Sequence, residues 1–167
     1  MLRWTGVILA FWLAAVPAFS AEKLPRPKAV RSDIQLAVQV AASGLGGLVA
    51  GVEGREEQLR LLRGYVAKAR FFPDGEGYFF VYDQDGTCVA HGAQPELVGR
   101  SLMDLKDASG FSVVRALVEV AGKGGGYVEY AWPKPGNDGS YDKIGYVEAI
   151  PGTGYIIGSG LYYVDLH

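Results

Sequence analysis

Hydrophobic and polar positions alternate most sharply between Gly77 and His91, in the stretch GYFFVYDQDGTCVAH. Tyr78 to Tyr82 are aromatic or β-branched, and Thr87 to His91 follow after Asp85-Gly86. This pattern predicts a β-hairpin whose two-residue turn is Asp85-Gly86. That turn sets a register with Gln84 opposite Thr87, Tyr82 opposite Val89 and Phe80 opposite His91. Because side chains alternate across a strand, Tyr78, Phe80, Tyr82, Val89 and His91 then share one face. Phe79, Val81, Asp83, Cys88 and Ala90 share the other, which reads as core. The first face is an aromatic floor carrying one imidazole.

Elsewhere the period changes. From Arg31, with Ser32 as a cap, Ile34, Val38, Ala41, Leu45, Leu48 and Val52 recur at helical spacing. Gly44, Gly46 and Gly47 weaken that helix or mark close packing. Glu53 to Arg70 predicts a second helix with Leu59, Leu62, Val66 and Ala69 inward and Arg55, Glu56, Arg60, Arg63 and Lys68 in water. Phe111 to Ala121 predicts a third, ended by Gly124-Gly125-Gly126. Strands are expected near Tyr127–Trp132, Lys143–Ile150 and Tyr155–Tyr162, separated by Pro/Gly/Asn/Asp-rich turns. The order of helices, hairpin, helix and three-strand meander predicts an α+β fold: an antiparallel sheet of about five strands under a long N-terminal helical segment.

The N-terminus adds a compartment. Arg3, the apolar run Trp4–Val16 and the small residues of Pro17–Ala21 read as a secretory signal cleaved after Ser20 or Ala21. The run is short for a membrane span. An exported, soluble protein is therefore expected, periplasmic or secreted. Residues 1–20 would be signal peptide, 21–54 a tail and helix, and 55–165 the main domain. Cleavage leaves 15 basic against 18 acidic residues, a net charge of about −3. Nothing in that balance asks for nucleic acid. Cys88 is the single cysteine, which excludes an intrachain disulfide and CxxC motifs.

Several segments resemble one family. GYFFVYDQDGT, the strand ending in AH, PELVGRSLMDLKDASG, GGGYVEYAWPKPG, KIGYV and PGTGYIIGSGLYYVD, taken in order, look like a single Cache domain (sCache_2-like). This is the PAS-like extracytoplasmic sensor module of bacterial chemoreceptors and sensor kinases. The resemblance spans roughly residues 55 to 165. It implies a pocket on one sheet face for a small organic acid such as acetate, propionate or pyruvate. It also implies a sensing role without catalysis, cofactor or metal, and a membrane signalling or transport protein as partner, with a homodimer open. Gly92 stands where the family usually has proline, Gly145 where serine is common, and Tyr155 where tryptophan is common.

A carboxylate leaving water needs a cation or aimed donors, and its carbon tail needs an apolar wall. Phe80 and Tyr82 are the expected floor, and Tyr130 and Trp132 the wall. His91 would donate, best when protonated. Lys143 would supply charge and Tyr146 a phenol. Strict alternation places Lys143 and Tyr146 on opposite faces, so both serve only if a bulge intervenes. Two other classes compete. FVYDQDGT also fits the nucleophile motif of haloacid-dehalogenase-like phosphatases, with Asp83 as nucleophile and Asp85 as acid/base; that chemistry needs a parallel α/β fold. A structural or interaction domain that binds nothing is the third.

Overall fold

A computed structural model of the chain describes residues 26–72 and 75–163, with side chains from residue 31 onward. The predicted signal peptide lies outside the described residues. Five antiparallel strands form one sheet: β1 Phe79–Asp83, β2 Cys88–His91, β3 Gly126–Pro133, β4 Ser140–Ala149 and β5 Tyr155–Tyr162. Their order across the sheet is β2-β1-β5-β4-β3. Helices α1 (Arg26–Val49) and α2 (Arg55–Lys68) cover one face, and α3 (Val113–Gly122) covers the other. This is the α+β arrangement expected from the element order, and the PAS-like sheet that the resemblance implies. Among the described residues no helix is long and apolar enough to cross a membrane.

The long helix begins earlier than its cap signal. It starts at Arg26, within the stretch read as a tail, and runs through all three glycines. Pro27 is tolerated because first-turn amides have no intrahelical acceptor. Gly46 has a packing reason: a Cβ there would sit 2.9 Å from the backbone oxygen of Pro151. In α2, Leu59, Leu62 and Val66 are buried as their spacing predicts. Phe111, placed in the α3 stripe by periodicity, precedes the helix and is exposed.

The expected hairpin forms, but with a different turn. Gly86 N–H donates to Asp83 O (3.1 Å) and Asp83 N–H to Thr87 O (3.0 Å), closing a three-residue connection. Gly86 alone takes positive φ there, at 74°. Such a loop is a type I turn followed by a left-handed glycine. The Asp83 carboxylate accepts the amides of Asp85 (3.1 Å) and Thr87 (2.8 Å), fixing the turn. One extra loop residue shifts the register, and a bulge between Val81 and Tyr82 shifts it back. Tyr82 therefore faces Cys88 instead of Val89, while Phe80 still faces His91. Cys88 moves to the α3 face and Val89 to the helix-pair face. Arg63, expected in water, donates Nε–H to Val89 O at 3.0 Å beside the bulge.

Candidate ligand-binding site

Three glycines open a trough in the middle of the α3 face. A Cβ on Gly158 would meet the Phe80 ring at 2.5 Å, one on Gly145 the Tyr130 hydroxyl at 3.0 Å, and one on Gly160 the Lys143 Cε at 3.0 Å. The glycines of YIIGSGLY thus make room for the side chains that neighbouring strands lay across them. Above the trough, Phe80, Tyr82, His91, Tyr130, Trp132 and Lys143 surround a cavity of about 10 Å³, roofed by Val113 and Leu117 of α3. This is room for about one water. Of the seven residues expected at the site, all but one therefore come together.

Tyr146 is the exception. The β3–β4 ladder runs without interruption from Gly126↔Val147 to Pro133↔Ser140, so no bulge brings it round. Its ring packs edge-on against Tyr127 (5.0 Å) on the helix-pair face, and its hydroxyl donates to Glu148 at 3.3 Å. Tyr155 also lies on that face, so its departure from the family pattern leaves the cavity untouched.

Lys143 is the charge of the site. It is 1% exposed. Its ammonium donates to Tyr78 Oη at 2.7 Å and lies over the rings of Tyr78 (4.3 Å), Tyr162 (4.7 Å) and Phe80 (5.9 Å). Burial lowers its pKa, and the Tyr78 hydroxyl works in the opposite direction. No carboxylate pairs with it among the described residues. Tyr78 and Tyr162 hydroxyls stand 3.1 Å apart, and Tyr162 donates onward to Pro133 O at 2.7 Å. Donors therefore run in one direction from Lys143 through Tyr78 and Tyr162 to a backbone carbonyl. Sequence reasoning misses both tyrosines as site residues, although the hairpin register puts Tyr78 on this face.

His91 plays a different part from the protonated donor expected. Its Nδ1 accepts the amides of Gln94 (2.9 Å) and Ala93 (3.3 Å). Burial, then the charges of Lys143 and Arg70, push its pKa down to about 3. The imidazole is neutral at ordinary pH and carries its proton on Nε2. Gly92, in the proline position of the family pattern, donates N–H to Phe79 O at 2.8 Å and so extends the ladder past His91. Trp132 is held by its indole N–H, which donates to Gln94 Oε1 at 2.7 Å. Tyr82 and Tyr130 have pKa values raised well above normal by burial and stay protonated.

The buried imidazole has a consequence for stability. Its folded pKa, about 3, lies below the unfolded value near 6.5, so between these limits the unfolded chain binds the extra proton. His91 therefore stabilises the fold fully above about pH 6.5, and that contribution is lost as pH falls toward about 3. Across this window the stability gap between wild type and His91→Gln should narrow with acidification by about 1.4 kcal/mol per pH unit. Denaturant titrations of both proteins at several pH values measure it; parallel curves would contradict it.

The phosphatase arrangement is not met. Asp83 lies in an antiparallel hairpin turn with its carboxylate occupied by two amides, and a strand follows instead of a helix.

Known proteins agree with this fold. Residues 29–167 match the Cache domain family dCache_2. The methyl-accepting chemotaxis protein McpP of Pseudomonas putida is 33% identical over 137 residues, 81% of this chain and 25% of that protein. The sensor histidine kinase MctS of Rhizobium johnstonii is 36% identical over 91 residues, 54% of this chain and 20% of that protein. The chain thus corresponds to a quarter or less of these relatives' length. Among solved structures, a periplasmic sensor domain of a chemotaxis protein superposes with TM-score 0.73 at 31% identity, covering 82% of this chain and 97% of that one. A Cache chemosensory domain described for its recognition of carboxylic acids superposes with TM-score 0.71 at 32% identity, covering 82% and 95%. By fold and by sequence, this chain belongs to the Cache domain family of chemoreceptor and sensor-kinase modules.

Proposed function

We propose that the domain binds a small organic acid of the acetate, propionate or pyruvate class, non-covalently, and serves sensing or signalling instead of catalysis. One observation carries this most: a buried ammonium, Lys143, borders the cavity with no acidic partner among the described residues. Burying an unpaired charge is costly, and an incoming carboxylate would offset that cost. Neutral His91 offers Nε2–H as a second donor, and Phe80, Trp132, Val113 and Leu117 suit a short carbon tail. The carboxylic-acid recognition described for the similar solved domain supports the same class. A two-carbon acid is larger than one water, so binding displaces Val113 and Leu117 outward. Export to the periplasm or medium after removal of residues 1–20, and a membrane signalling or transport protein as partner, complete the proposal.

A thermal-shift series on the chain from Glu22 onward tests it. At a hundred times its dissociation constant a ligand adds about 2.7 kcal/mol of stability, a rise of several degrees. Acetate, propionate or pyruvate should give such a rise, and acetamide none. If no two- to four-carbon acid raises the melting temperature, the domain is a structural or interaction module instead.

A further inference from the structure

Between β2 and α3, one side chain joins two walls of the cavity without lining it. Gln94 accepts the Trp132 indole N–H on Oε1 at 2.7 Å, and its own backbone N–H donates to His91 Nδ1 at 2.9 Å. It lies behind Trp132, in an outer recess of about 210 Å³ that shares Trp132 and Val113 with the inner cavity. The imidazole and indole rings lie 6.5 Å apart and nearly parallel, at 19°. One residue thus bonds the tryptophan ring through its side chain and, together with the Ala93 amide, His91 Nδ1 through its backbone.

We infer that Gln94 is a positioning residue of the carboxylate site, holding His91 in the Nε2–H tautomer through its bond to Trp132. This rests on the carboxylate reading above only for its effect on affinity. The physical chain is short. A buried indole N–H without an acceptor turns to find one. Once it turns, the Ala93–Gln94 stretch loses its tie to β3, while Gly92 stays held by its N–H to Phe79 O. His91 Nδ1 then loses the two amides that keep it an acceptor, and the neutral ring divides its proton between both nitrogens. The fraction protonated on Nδ1 has no donor on Nε2.

The test uses ¹⁵N-labelled wild type, Gln94→Leu, Gln94→Asn and Gln94→Glu at pH 7. Imidazole ¹⁵N shifts report the tautomer without any ligand. The His91 signals, told from those of His167 by their absence in His91→Gln, should show Nε2–H alone in wild type. Gln94→Leu removes the acceptor and Gln94→Asn shortens it beyond reach, so both should give a tautomer mixture and bind propionate about tenfold more weakly. Gln94→Glu keeps an acceptor and should keep Nε2–H. Two acceptor-removing variants of different polarity guard against one failing to fold. A pure Nε2–H signal in both overturns the inference, as does a mixture in Gln94→Glu. If wild type binds neither propionate nor any other small acid, the carboxylate reading fails, and the ligand-free tautomers still decide the role of Gln94.

Discussion

Lys143→Met will bind small carboxylates at least a hundredfold more weakly than wild type, while the ligand-free domain loses no stability. Both halves follow from the ammonium's surroundings. It is buried under Tyr78, Tyr162 and Phe80 with one hydrogen bond, to Tyr78, and no acidic partner among the described residues. A hydrogen bond to a charged group contributes about 1.5–3 kcal/mol, so removing it weakens binding by roughly ten- to a hundredfold. Lost attraction between whole charges in a dry cavity adds to that. In the free protein the substitution removes a buried charge that has ring faces and one hydroxyl but no acidic partner among the described residues. Methionine fills a similar volume and keeps contact with the rings, so stability holds or rises. Isothermal titration with propionate and a denaturant melt measure the two effects. Equal affinity in Lys143→Met would remove the ammonium from the site. Tyr146→Phe, across the sheet, is the control and should bind as wild type does.

The hairpin marks how far a local pattern reaches. Alternation and Asp85-Gly86 locate both strands and the Phe80–His91 pair, yet the backbone joins them by another route. A three-residue loop and a bulge each shift the register by one, in opposite senses, so the expected pairing holds at the far end of the ladder and fails at the near end. Periodicity reports that a strand exists; it does not report where the backbone inserts a residue. On β4 the pattern suffices. Alternation alone sets Lys143 and Tyr146 on opposite faces, and the unbroken ladder places only Lys143 in the cavity.

What escapes the sequence is what depends on contacts between distant segments. Gln94 has no periodic signature, and its importance comes from Trp132, which lies 38 residues away. Tyr162 reads as ordinary strand cover until β5 sets it beside Lys143. Val113 and Leu117 are legible as part of a helix, but not as the roof of a cavity. His91 is legible by residue type and position but not by charge state, because burial and the charges of Lys143 and Arg70 set that state. Glycine in YIIGSGLY reads as a poor strand former. In the sheet it is what lets Phe80 and Lys143 lie flat.

That role makes Gly160→Ala the most damaging small substitution to expect. Gly160 lies opposite Gly145 at the centre of the β4–β5 pair. A Cβ there would stand 2.4 Å from the backbone oxygen of Ile144 and 2.9 Å from Gly145 Cα, besides 3.0 Å from Lys143 Cε. The lysine stem can turn aside, but the two backbone atoms belong to a hydrogen-bonded ladder and cannot move alone. Relief requires the strands to part, so the cost falls at the upper end for overpacking, about 3 kcal/mol. Gly44→Ala makes the contrast. It sits in α1 with nothing within 4 Å of an added Cβ, and alanine there should stabilise by about 0.5–1 kcal/mol. Denaturant unfolding of the two single variants separates them by sign. Because Gly160 also lies against Lys143, its alanine variant should bind propionate more weakly even at temperatures where it is fully folded. A Gly160→Ala protein as stable as wild type would mean that the trough is not shaped by the close approach of β4 and β5.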